Sequence, residues 1–167
     1  MFFCEALETA EKRGTNVIRL SSAAEFEAGE IHISVLDTFG YEYDDLNDAS
    51  MVTKVTAGET SVLIMGDAGS EVEEYLIGNE SGRLDCDILE VGHHGSNTSS
   101  SEDFLAATSP DKCVISCGKN NPYGHPMPLI LDRIEKTGAQ IYRTDKSGTV
   151  VLRGEKIFSQ SLSQSDD

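Results

Sequence analysis

The chain has no tryptophan, four prolines and four cysteines in 167 residues. No two cysteines form a Cys-x-x-Cys pair, and nothing in their placing indicates a disulfide framework. Cys4, Cys86, Cys113 and Cys117 read as small buried hydrophobes. No apolar run approaches the roughly 18 residues that a membrane-spanning helix needs. The start, MFFCEALETA, carries acids too early and too short an apolar stretch for a signal peptide. Cations are scarce as well: 13 Lys and Arg stand against 29 Asp and Glu, a net charge of −16. Such a charge favours solubility and opposes non-specific binding to a phosphate backbone.

The remaining composition suits one domain, with hydrophobic content of 38% and charged content of 25%. Apolar periodicity predicts helices over 3–13, 70–79, 101–109 and 128–138. It predicts strands over 16–20, 30–38, 50–58, 60–67, 86–92, 112–118, 140–145 and 148–154. The pairs 50–58 with 60–67 and 140–145 with 148–154 read as hairpins around turn residues. Ser100 or Ser101 caps the third helix, and Pro128 and Gly138 bracket the fourth. Hairpins first, then alternating helices and strands, give an α+β fold: a mixed sheet with helices on one side. The stretch 159–167 is mostly Ser, Gln and Asp and reads as a disordered acidic tail after a domain at 1–158.

Three polar motifs each follow a strand. LIMGDAG puts Asp67 after Gly66, LEVGHHGSN puts His93 and His94 after Gly92, and NNPYGHPMP puts His125 in a Pro/Gly loop. Catalytic and binding groups gather at such loops, and imidazole with carboxylate suits Zn, Mn or Fe. Taken singly, each has a plain alternative. Asp67 is also a good helix cap, His93-His94 a polar turn, and His125 a loop histidine. His32 stands on the polar face of a strand and reads as exposed. SNTSSSED is a solvated loop and cap, or a set of hydroxyls for a phosphate beside a helix N-terminus. On that second reading Ser96, Asn97 and Ser99, with Tyr123, form a substrate-binding set.

Together the three motifs resemble the metallo-β-lactamase superfamily, and within it the hydrolase-like domain of ComEC-type DNA-internalisation competence proteins. The resemblance covers about residues 17–153 and is tightest over 46–151, where NDASMV also matches. It implies an αββα sandwich. It implies a dinuclear Zn or Mn site with Asp67 bridging, His93 ligating, and His94 and His125 acting on a phosphodiester or other ester. DNA as substrate comes from the resemblance alone. The superfamily's first motif, His-x-His-x-Asp-His, is absent: His32 is followed by Ser34 and Leu36. The resemblance therefore implies the second half of the sandwich, with an incomplete metal site. It leaves two expectations: part of a hydrolase, or a non-catalytic binding module. It also implies an exposed apolar sheet face, covered by a homodimer or by a missing N-terminal half. Compartment is open between the cytoplasm and the extracytoplasmic side of a longer protein.

Overall fold

The computed structural model describes residues 2–38, 43–153 and 156–160. Helix α1 (Phe2–Lys12) is followed by strands β1 (Ala24–Ala28), β2 (Ile31–Val35), β3 (Thr53–Ala57) and β4 (Thr60–Ile64). Then come α2 (Ser70–Glu80), β5 (Ile88–Glu90), α3 (Glu102–Thr108), β6 (Lys112–Ile115), α4 (Pro128–Thr137) and β7 (Gln140–Arg143). A short helix α5 (Thr144–Ser147) and the strands β8 (Thr149–Arg153) and β9 (Lys156–Gln160) complete the order.

Strands β1 to β7 form one seven-stranded sheet in sequence order. The first three pairings are antiparallel and the last three parallel, as βαβ crossovers through α2, α3 and α4 require. The fold class is α+β, as the sequence pattern indicates. Leu63, Leu89 and Cys113 lie side by side in register. They join Val72, Leu76, Phe104, Leu105, Ile130 and Ile134 from the helices in a single buried cluster. Burying each such side chain contributes roughly 1.5–3 kcal/mol. Along the neighbouring register row, Ile33, Val55 and Val62 pair in line and are only half-buried. Alternation puts that row on the opposite face of the sheet.

Three expectations change. Residues 16–20 form no strand, and Ile18 is 60% exposed. The place beside β2 goes instead to Ala24–Ala28, whose Glu-rich sequence has little intrinsic strand preference. It wins because Gly29 and Glu30 make a tight turn straight into β2, with Gly29 at φ 65°, so loop closure is short. The second expected hairpin is also not formed. The Asp-Lys-Ser stretch winds into α5, and β8 pairs with β9 rather than with β7. Thr144 explains the redirection. Its hydroxyl donates to the Cys117 carbonyl at 2.8 Å and accepts from the Cys117 N–H at 2.8 Å, which ties α5 to the end of β6. Of the expected tail, Ser159 and Gln160 close β9, and residues 161–167 lie outside the described residues.

Candidate metal and substrate site

Strands β4, β5 and β6 run parallel, so their C-terminal ends lie along one rim of the sheet. The Gly-Asp, His-His and Gly-His-Pro loops leave from that rim. Asp67 sits in the turn after β4. Its N–H donates to Ser50 Oγ at 3.1 Å, and the next-but-one N–H, of Gly69, donates to the buried Asp48 Oδ1 at 2.6 Å. The Asn-Asp-x-Ser segment thus acts as a mount for the Gly-Asp turn. The N-cap of α2 is Gly69, so the helix-cap reading of Asp67 falls away.

The His-His turn is built on glycine. A Cβ at Gly92 would lie 2.7 Å from the Ala68 carbonyl oxygen, and one at Gly95 would lie 2.6 Å from Pro126 Cβ. Only the bare backbone fits such approaches. Between them His93 and His94 both adopt left-handed backbone, with φ 50° and 56°. Non-glycine residues hold that conformation at a cost, and it clusters at functional sites. The His93 N–H donates to the Gly66 carbonyl at 2.8 Å, locking the histidine turn to the Asp67 turn. Further along, the Ser100 and Ser101 N–H groups donate to the carboxylate of buried Glu73 on α2, and Arg133 on α4 donates to the Ser100 carbonyl at 3.2 Å. Burial pushes the Glu73 carboxyl above its ordinary range.

His94 Nε2 stands 3.3 Å from Asp67 Oδ1, and its Nδ1 lies 2.7 Å from the Ser116 carbonyl. A carbonyl accepts only, so Nδ1 carries the hydrogen. In neutral His94 the Nε2 lone pair then faces a carboxylate oxygen, acceptor against acceptor. A proton or a cation between them removes that conflict. Donating the second ring N–H to a backbone carbonyl is also how metal-ligating histidines are oriented. His93 turns elsewhere: its Nδ1 is 3.3 Å from Thr98 Oγ1, and its ring meets His125 edge-on at 5.9 Å. Burial, and then the charges of His93 and His94, hold the His125 imidazole below its ordinary pKa.

Of the expected substrate-binding set, Asn97 and Tyr123 are exposed. Ser96 and Ser99 are buried. The Ser99 hydroxyl donates within the loop, to the Gly92 and Ser96 carbonyls at 2.7 and 3.0 Å, and Ser96 Oγ contacts Thr98 Oγ1 at 3.1 Å. These two serines hold the shape of the turn instead of presenting hydroxyls to a ligand. Sequence reading missed Glu90. Its Oε2 accepts from the Met65 and Gly66 N–H groups at 3.2 Å each, and burial raises its pKa beside His94 and Asp67. An acid inside the apolar run ILEV is the signal that marks it.

Among the described residues, no group of three or more His, Cys, Asp or Glu is arranged to hold a metal ion. Asp67, His93 and His94 as they stand do not fit a four-coordinate site. No helix among the described residues is long and apolar enough to cross a membrane.

No family model matches the chain. It is 43% identical over 106 residues to competence protein ComA of Neisseria gonorrhoeae, covering 64% of this chain and 15% of that protein. It is 29% identical over 149 residues to ComE operon protein 3 of Bacillus subtilis, covering 89% of this chain and 19% of the relative. Recombination protein 2 of Haemophilus influenzae is 34% identical over 120 residues, 72% of this chain and 15% of that one. The chain thus spans 15–19% of the length of these relatives. Among solved structures, a mutant of the CmlA beta-hydroxylase superposes with a TM-score of 0.52 at 14% identity, covering 77% of this chain and 32% of that one. That neighbour has the metallo-β-lactamase fold. The chain therefore has a metallo-β-lactamase-like α+β fold and is similar to one segment of the ComEC-type competence proteins.

Proposed function

We propose that this chain is the hydrolase-like portion of a ComEC-type competence system and contributes one side of a metal-dependent phosphodiesterase site. The observation that carries this reading is the His94–Asp67 contact, 3.3 Å between Nε2 and Oδ1, with His94 Nδ1 turned to the Ser116 carbonyl. On this reading Asp67 and His94 would supply part of the donor set for a Zn or Mn ion, a set that the described residues alone do not complete. His93, one turn position away, is the further donor. A bound ion of this kind supplies Lewis acidity and an activated water. The chain's own residues orient the substrate. His125, its imidazole held below its ordinary pKa by burial and then by the neighbouring histidines, accepts or relays a proton near the leaving group, and Asn97 and Tyr123 contact the substrate from the loop surfaces. Glu90 keeps the Gly66–Asp67 turn in place through two backbone N–H groups. The remaining donors would come from a second protein layer, a second copy or an N-terminal half, laid on the half-buried Ile33–Val55–Val62 face. DNA is the substrate this reading favours, since the similar proteins are named for competence and recombination.

The test is metal content by plasma mass spectrometry on protein purified without chelator or affinity metal. Where a second copy completes the site, bound Zn or Mn is expected in the wild type and is lost in Asp67→Ala and in His94→Ala. A smaller loss in His93→Ala assigns it as the outer donor; the reverse order exchanges the two histidines. Equal metal in wild type and Asp67→Ala refutes the shared ion. A wild type without metal favours the second reading, a binding module that keeps the fold without the chemistry. The short donor set speaks for that alternative.

A further inference from the structure

A cavity of about 280 Å³ opens beside His94, bounded by Cys117, Gly118, Asn121, Tyr123 and His125. Tyr123 is 78% exposed, yet it is not on a loose loop. Asn121 fastens the segment from inside. Its Nδ2 donates to the Gly118 and His125 carbonyls at 3.0 and 2.6 Å, and its Oδ1 accepts the His125 N–H at 3.0 Å. The Met127 N–H donates to the Gly95 carbonyl at 2.9 Å and fixes the far end. Tyr123 also leans on the His125 ring, with centroids 5.8 Å apart and planes at 29°. The loop that presents this exposed aromatic is thus already fixed, so binding would have less backbone freedom to remove. Among the described residues, neither the Tyr123 hydroxyl nor the His125 ring nitrogens have a hydrogen-bond partner.

From this arrangement we infer that the cavity is a stacking subsite for one nucleobase, with Tyr123 as its platform. The base belongs to a nucleotide whose phosphodiester lies at the Asp67–His94 pair. The inference rests on the phosphodiester reading above and adds how the base of that substrate is gripped. Charge supports stacking as the means of grip. A chain of net charge −16 gains little from the backbone of a long polyanion, whereas an aromatic face binds any base without needing cations.

The experiment measures binding of a single-stranded thymidine dinucleotide to the metal-free protein by NMR saturation transfer. An analogue with one base removed is measured alongside. Loss of the base is expected to weaken binding about tenfold, as is Tyr123→Ala, and the two losses together are expected not to add. Tyr123→Phe is expected to bind like the wild type, and added salt to change the affinity little. Tyr123 is exposed, so the variants retain the fold, which circular dichroism checks. Equal affinity for the two ligands, additive losses, or no binding of the dinucleotide overturns the subsite. Base-dependent binding together with unchanged metal in Asp67→Ala refutes the metal reading alone and leaves the subsite standing.

Discussion

The two halves of the one sheet are built differently. In the parallel half, β4 to β7 carry α2, α3 and α4, and the buried cluster draws on strand and helix alike. In the antiparallel half, β1 is exposed along most of its length. Its polar side chains are tied by exposed charges: His32 between Glu25 and Glu27, with Arg83 reaching Glu25. Crossover connections cover a strand with a helix, whereas a hairpin covers it with nothing. Every candidate chemical group belongs to the covered half, because only rigid strand ends can hold loops in strained geometry.

The largest expected contrast is in stability. Leu89→Ala and Phe104→Ala, in the fully buried cluster, are each expected to cost about 2–5 kcal/mol by denaturant unfolding. Phe26→Ala in β1, where the ring is 36% exposed, is expected to cost clearly less. Equal losses would mean that the antiparallel half is as tightly packed as the parallel one.

The next contrast sets two glycines against each other. Gly95 and Gly58 both have left-handed backbone, at φ 79° and 61°. A Cβ at Gly58 meets nothing within 4 Å, but one at Gly95 strikes Pro126. Gly58→Ala should cost about 1–2 kcal/mol from backbone strain alone. Gly95→Ala adds overpacking and should cost about 2–5 kcal/mol, with shifted His94 and His125 imidazole resonances. Unshifted resonances would separate the two loops.

The smallest effect is electrostatic. The hydrogen bond to Glu27, and the charges of Glu27 and Glu25, raise the His32 pKa above 6.5. The folded state therefore holds this proton more tightly than the unfolded state. Its stabilisation is full below 6.5 and fades as pH rises through the folded value. His32→Gln should lower the melting temperature slightly in acid and not at all at alkaline pH. A constant difference across that range would assign His32 a packing role.

Much of this was legible in the sequence, for uneven reasons. The covered half announced itself because buried parallel strands are apolar runs, and its three motifs sit where those runs stop. Strand β1 was illegible because its pairing comes from a two-residue turn and not from AEFEA itself. The turn to α5 was hidden in a tertiary contact, Thr144 on Cys117. Ser96 and Ser99 looked like ligand hydroxyls because a loop's inward serines and its outward ones share one alphabet. The Asp48 and Ser50 mount sits more than a dozen residues before Asp67, so nothing local connects it to the turn it holds.

The bond between the Met127 N–H and the Gly95 carbonyl, with Pro126 pressed on Gly95, has a consequence for motion. The His-His loop and the Gly-His-Pro loop are stapled where they touch, and the first is stapled again to the Gly-Asp turn through the His93 N–H. Three segments distant in the chain are thus expected to open together. Their amides should show one common free energy of opening in hydrogen exchange, as a single hinged plate would.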